Sequence, residues 1–594
     1  MTAMAAARRL LFTRWRIAGA VMVGLVAYLV TGPLGLTDRY QGFVITTVAI
    51  YSIVTISVSE LAALSGIWSV GHMSFVAVGA YATAFLGAHG YPLPVVVVVA
   101  MLIAAAIGFV LGLSAGRFEV LYLAILTLAL ALVAAEVIGR WVPVTGGDQG
   151  TSVPPAVILG HRLTLDEITG LAILTATVVF VAVDLVAEGR WGRRWLAVKN
   201  QRTAAIAIGL NPTIANASAF AASAAIAAVG GVLLGLQIGY ISPDFFSLTS
   251  AINFIVAAVV GGVGSIAGAL LGAGFIVVLP EAARGAQDLQ VILFGVVTIA
   301  VLLFLPEGIA PGAIRRAARL FGRRRRPTVL EGDAWEAAEV EEWLKARPGR
   351  RDAELLVENV SVRFGGLTAN EAVSLAIGPG KVVALIGPNG AGKTTFLNVL
   401  GGFVRPAEGA KVTFGGNDLL AASPQQRPRL GIGRTFQHAE LFGELTVQET
   451  VRIAAGVARR PAHESAAGAG AAILALLRLT RYAGDRPDAL PFGIQKRIDI
   501  ARALATGPSL VVMDEPFSGL DLNEQRQLHE LIVAVRKSGV SVLLVDHAIQ
   551  EVLSLADRVY VLDYGRLIAE GTPADIRASA AVQEAYFGRA EPSA

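Results

Sequence analysis

The sequence predicts two unlike halves: a polytopic α-helical membrane domain, followed by a soluble α/β domain. Three observations predict this. The 594-residue chain is 54% hydrophobic with a mean hydropathy of +0.62, too apolar for an ordinary soluble protein. Nearly all long apolar runs lie in residues 17–306, whereas from Glu354 onward short β-rich runs alternate with helical patterns. Between a buried-strand pattern at Val382–Ile386 and a helix-like run at Thr395–Leu400 lies Gly387-Pro388-Asn389-Gly390-Ala391-Gly392-Lys393-Thr394. It matches the phosphate-binding pattern G-x-x-x-x-G-K-[ST] in the strand–loop–helix setting that the pattern requires.

Apolar stretches of near-spanning length fall at roughly 17–36, 42–59, 67–89, 92–114, 119–139, 168–187, 213–240, 248–280 and 289–306. The first follows Arg8, Arg9, Arg14 and Arg16 and is too long for the apolar core of a signal peptide, so a retained first helix is expected. Basic clusters also mark 189–212 (Arg190, Arg193, Arg194, Lys199, Arg202) and 315–326. Positive residues stay on the cytoplasmic side, so all three landmarks share one side. Six stretches separate the first two landmarks and three the second pair. An odd number cannot return the chain to the same side. The 248–280 stretch, interrupted at Gly261-Gly262-Val263-Gly264, therefore counts as two short spans or a re-entrant pair, giving ten spans, with eight as the alternative.

Glu60, Glu136 and Asp184 lie in or near spans and are read as span-end or internally paired charges rather than a substrate path. The small residues crowding 213–235 fit close helix packing. Net charge is +4, and the basic residues sit beside apolar runs, which argues for a lipid bilayer and against nucleic acid. The chain has no cysteine, which excludes disulfides and thiolate metal sites and suits a cytosol-facing protein. The expected division is a membrane domain over 1–314, a basic juxtamembrane segment and linker over 315–352, and a nucleotide-binding domain over 353–594. Within the linker, the acidic amphipathic stretch from Trp335 to Leu344 is read as part of a tether.

In the soluble half, backbone N–H groups of Gly387 to Gly392 can cradle phosphate oxygens at a helix N-terminus, continued by Thr395. Lys393 reaches the β- and γ-phosphates of ATP, and the Thr394 hydroxyl sits on Mg²⁺. Some 120 residues later the apolar run Leu510–Met513 ends in Asp514-Glu515. A buried strand ending in two carboxylates supplies a second Mg²⁺ ligand, Asp514, and a base for the attacking water, Glu515.

These features resemble the ATP-binding-cassette (ABC) ATPases, an α/β P-loop NTPase fold. By that resemblance Gln437, in Gly433-Arg434-Thr435-Phe436-Gln437, touches Mg²⁺ and the membrane subunit. His547 after Val545-Asp546 contacts the γ-phosphate, Phe364 stacks on adenine, and Ser518-Gly519-Leu520-Asp521 is the D-loop. Leu490-Pro491-Phe492-Gly493-Ile494-Gln495 stands at the signature motif, usually Leu-Ser-Gly-Gly-Gln. Gly493 and Gln495 are retained. Pro491 replaces the serine whose hydroxyl contacts ATP held by the opposite ATPase, so the site completed by this signature is expected to be the weaker one.

The membrane half is similar to a permease of the branched-chain (hydrophobic) amino acid importers. The segments are Gly71-His72-Met73-Ser74-Phe75, Tyr122-Leu123-Ala124-Ile125-Leu126-Thr127-Leu128, Thr145-Gly146-Gly147-Asp148-Gln149-Gly150, Ile208-Gly209-Leu210-Asn211-Pro212, Val260-Gly261-Gly262-Val263-Gly264-Ser265 and Leu305-Pro306-Glu307-Gly308-Ile309. The C-terminal Ala585-Tyr586-Phe587-Gly588 resembles the same family. The resemblance implies ATP-driven import across a bacterial inner membrane, with the ATPase half in the cytoplasm. It implies a second permease, a second ATPase and an extracytoplasmic substrate-binding protein as partners. The segment 190–212 is the candidate coupling element beside Gln437. The alternatives are an importer of urea, short amides, or aromatic and other carboxylic acids, and then a homodimeric half-exporter.

Overall fold

The computed structural model describes residues 18–31, 38–115, 120–158, 161–282, 290–313, 337–347, 349–457 and 464–587. Arg8, Arg9, Arg14, Arg16, the 315–326 block, Trp335 and Gly588 lie outside the described residues. The described chain divides into two units. One holds the segments up to Trp195 and from Pro212 to 313. The other holds Leu196–Asn211 and everything from 337 onward.

In the first unit, the described residues include five helices long and apolar enough to cross a membrane: Arg39–Ser65, Leu93–Ser114, Leu123–Arg140, Leu165–Ala187 and Pro212–Ile238. Shorter apolar helices run over Ala18–Thr31, Met73–Ala88, Leu248–Gly261, Ile266–Ala282 and Ile292–Phe304. The 248–280 stretch is indeed divided. Its first helix ends where Gly262 takes φ +113°, and a Cβ there would lie 2.3 Å from Pro311 Cδ. The helix Pro212–Ile238 is the packing centre, laid against Arg39–Ser65, Met73–Ala88 and Leu93–Ser114. Its small residues let backbones touch: a Cβ on Gly231 would fall 2.0 Å from the Val76 carbonyl oxygen, and one on Gly79 2.0 Å from that of Ala228.

A buried polar node joins three of these segments. His72 Nε2 lies 3.0 Å from Ser57 Oγ and 3.2 Å from Ser223 Oγ, and Ser223 donates to the Ser57 carbonyl at 2.7 Å. Buried polar groups must find such partners, because leaving one unmade costs about 1–3 kcal/mol. Glu136 pairs with Arg140 one helical turn on, at 3.0 Å and largely exposed. Asp184 is buried in Leu165–Ala187.

In the second unit, six strands make a mainly parallel sheet in the order 432–434, 510–514, 541–545, 382–386, 558–563, 566–571. Only the last pair is antiparallel. Val382–Ile386, Leu510–Asp514 and Ser541–Val545 are buried along their whole length and read as continuous apolar runs, as parallel strands covered on both faces must. Because they run the same way, the residues after them emerge at one sheet edge: Gly387, Glu515 and Asp546-His547. A four-stranded antiparallel sheet, ordered 367–377, 355–364, 411–414, 417–418, shares its core with the parallel one through Leu355, Val373, Phe396 and Leu543.

The tether reading of the linker is corrected for its described part. Ala337–Lys345 is a helix packed on Leu522–Lys537 and Ala466–Leu476 of the nucleotide-binding unit. Val340 and Leu344, one turn apart, are 0% and 1% exposed. Arg347 lies over the Trp343 ring at 3.6 Å and bridges to Glu464 at 2.7 Å. Four charged residues in nine, Glu339, Glu341, Glu342 and Lys345, gave the stretch a solvated look in the sequence. We expect Leu344→Ala to destabilise this unit by about 2–4 kcal/mol, the range for deleting a buried leucine side chain. A thermal melt followed by the ATPase activity that survives each temperature checks this.

Candidate active site

The loop before Lys393 closes tightly on glycine. Gly387, Gly390 and Gly392 have φ of +156°, +82° and +99°, conformations that side chains oppose. A Cβ on Gly392 would stand 2.2 Å from the Ala369 carbonyl oxygen. Gly392 caps the helix Lys393–Gly401, and Asn370 Nδ2 donates to its carbonyl at 3.2 Å. Lys393 is buried and folds back over the loop, its Nζ donating to the carbonyls of Gly387 at 2.6 Å and Pro388 at 2.8 Å. Burial lowers its pKa, and the carboxylates of Glu515 and Asp514 work against that.

Asp514 ends its strand buried. Burial raises its pKa, opposed by the Arg434 guanidinium 3.8 Å away. Glu515 follows with φ +46°, a costly backbone conformation for glutamate that is fixed by its N–H donating to the Val545 carbonyl at 2.7 Å. This bend leaves the carboxylate held from two sides. Gln437 Nε2 donates to Oε2 at 2.9 Å, and His547 Nε2 lies 2.9 Å from Oε1. Gln437, Glu515 and His547, which are distant in sequence, therefore meet at one carboxylate.

The other expected residues sit elsewhere. Phe364 ends a strand of the antiparallel sheet and is 52% exposed. Pro491 caps the helix Phe492–Ala505. Gly493 lies in its first turn, where a Cβ would fall 1.9 Å from Glu524 Oε1. Glu524 in turn completes a capping box with Asp521. Gln495 Nε2 donates to the Leu490 carbonyl at 2.9 Å. The Phe492 ring is half-exposed and lies against Gly519.

The sequence reading missed Lys496. It is buried and donates to the carbonyls of Gln437 at 2.6 Å and Glu515 at 3.0 Å, so it pins both residues' backbones. Its signal was present: a lysine directly after Gln495, on a helix whose neighbours are apolar. Asp499 and Arg502, fully buried on the same helix, were also missed.

A phosphate loop, a strand-end Asp-Glu pair, and a glutamine and a histidine on the glutamate define an ABC-type ATPase. It is joined here to a many-helix membrane domain. Comparison with known proteins narrows the class. The family profile for the permease component of branched-chain amino acid transport systems matches residues 40–305. The ABC transporter profile matches 370–518, and that of the branched-chain amino acid ATP-binding cassette transporters matches 566–592. The chain is 38% identical over 251 residues to the Salmonella typhimurium high-affinity branched-chain amino acid transport ATP-binding protein LivG, covering 40% of this chain and 98% of that protein. It is 36% identical over 251 residues to BraF of Pseudomonas aeruginosa, with the same coverage. Among solved structures, an ABC transporter's ATP-binding cassette in its ADP conformation is 29% identical, covering 40% of this chain and 99% of that one, with a TM-score of 0.36. The chain belongs to the branched-chain amino acid ABC transporters, with permease and ATP-binding component in one polypeptide. It is a membrane protein whose C-terminal half binds and hydrolyses ATP.

Proposed function

We propose that this chain is the fused permease–ATPase subunit of a heteromeric importer of branched-chain or related hydrophobic amino acids in a bacterial inner membrane. The observation that carries the reading is the presence, on one chain, of the branched-chain permease profile and a LivG-like ATPase. A second permease, a second ATPase and an extracytoplasmic binding protein complete the machine. Among the described residues, the five long and five shorter apolar helices of the membrane unit support ten spans, and the basic segments beside apolar runs support an ATPase half in the cytoplasm.

The chemistry follows from the residues. The Gly387–Gly392 loop and Lys393 hold the phosphates, Thr395 extends the cradle, and Phe364 stacks on adenine. The Thr394 hydroxyl, the Asp514 carboxylate and the Gln437 amide oxygen form an all-oxygen donor set, which suits Mg²⁺. Held by these residues, Mg²⁺ would supply positive charge against the phosphate oxygens. Glu515 takes a proton from water as the water oxygen bonds to the γ-phosphorus and the bond to the bridging oxygen of ADP breaks. His547 and Gln437 fix which way the carboxylate faces. Gly493 offers its backbone N–H to ATP on the opposite ATPase. Closure and reopening of the two ATPases alternate access in the permeases.

The test is to tag the chain, extract it gently from native membranes and identify what co-purifies in stoichiometric amount. A second permease and a second ATPase are expected, together with L-leucine uptake by the reconstituted complex that depends on the binding protein. A lone homodimer overturns the reading in favour of a half-exporter.

A further inference from the structure

Leu196–Asn211 folds with the ATPase unit although its neighbours in sequence are membrane helices. Two of its contacts there are made by the peptide groups of Ala204. The Ala204 carbonyl accepts from Arg502 Nη1 at 3.2 Å, and its N–H bonds the Glu440 carboxylate. Lys199 pairs with Glu444 at 2.9 Å, and Asn200 Oδ1 accepts from the Glu444 N–H at 3.0 Å.

Arg502 is 0% exposed. Besides Ala204 it reaches Asp499 Oδ1 through Nε at 3.1 Å, and the Arg434 carbonyl through Nη2 at 3.4 Å. The other oxygen of Asp499 accepts from the Phe436 N–H at 2.9 Å. The next residue is Gln437, which holds Glu515. An unbroken line of bonds therefore runs from Ala204 through Arg502, Asp499 and the Phe436 peptide to the carboxylate at the reaction centre.

We propose that Arg502 and Asp499 are positioning residues that register the 196–211 segment against the Gln437–Glu515 contact. Within the importer reading, on which this inference rests, they pass motion between permease and ATPase. The physical reason is the cost of leaving a buried hydrogen-bond donor without its acceptor, which is larger when the donor is charged. If Ala204 moves, Arg502 loses an acceptor it cannot replace with water, so Asp499, and with it the Phe436 peptide, moves too. Burial makes the pair respond as a unit rather than bond by bond.

The experiment uses the complex purified with its partner chains, reconstituted in liposomes with the binding protein and L-leucine. Arg502→Lys keeps the charge but loses the guanidinium fork. We expect leucine moved per ATP to fall about tenfold, with the KM for ATP held within about twofold, a typical size for inter-site coupling. Asp499→Asn keeps the volume and is expected to do the same. Amide hydrogen exchange over 202–207 and at Phe436 should rise together in both variants. Transport and hydrolysis falling in proportion would mean a merely structural role and overturn the proposal, as would wild-type exchange over 202–207. The exchange readout needs no substrate. If the wild type moves no leucine, the importer reading fails separately, and the exchange result still decides the role of the pair.

Discussion

Replacing Glu515 with glutamine stops ATP-driven uptake while leaving the chain assembled. The variant keeps the side chain's size and an oxygen for Gln437 to donate to, but it cannot take the proton from water. Losing a positioned general base costs on the order of 10²–10⁴-fold in rate. Lys393→Ala reaches the same endpoint by another route. In the proposed mechanism it removes the cation that meets the phosphates, and it strips the Gly387 and Pro388 carbonyls of their donor. Labelled L-leucine uptake into vesicles, with ATPase assayed in parallel and co-purification as the assembly control, measures both. Uptake that survives either change would sink the mechanism.

The second large effect is expected in the membrane half. Gly231→Val should leave little correctly folded chain, because even its Cβ would sit 2.0 Å from the Val76 carbonyl oxygen, on a helix buried by three others. Ordinary overpacking costs about 1–3 kcal/mol because side chains can yield. Here the obstacle is backbone, and relief requires the two helices to separate. Gly274→Val is the control, since a Cβ there meets nothing within 4 Å. Monodisperse yield after detergent extraction compares the two, and equal yields would show that the close approach is not required.

What was legible in the sequence was local or periodic. Gly387 to Thr394 is one continuous stretch running from loop into helix, and Leu510–Glu515 runs through one strand end, so both could be singled out without a fold. The interruption at Gly262 was readable because glycines punctuate an apolar run. What was not legible depends on pairs far apart in sequence. Gln437, Glu515 and His547 were each identified, but only parallel strands emerging at one edge make them meet. Lys496 and the Asp499–Arg502 pair were not singled out, because a sequence does not show that the charged positions of that helix are buried. Helix Ala337–Lys345 was misread for the opposite reason: two buried residues are too few to set a pattern.

That helix also sets an order of events in synthesis. Its main packing partner, Leu522–Lys537, leaves the ribosome roughly 200 residues after it. At about 5–20 residues per second, the helix waits on the order of 10–40 s with Val340, Trp343 and Leu344 uncovered. Its acidic neighbours Glu339, Glu341 and Glu342 keep it soluble during that interval. A chain that stops before Leu522 therefore leaves the helix Ala337–Lys345 without its main packing partner.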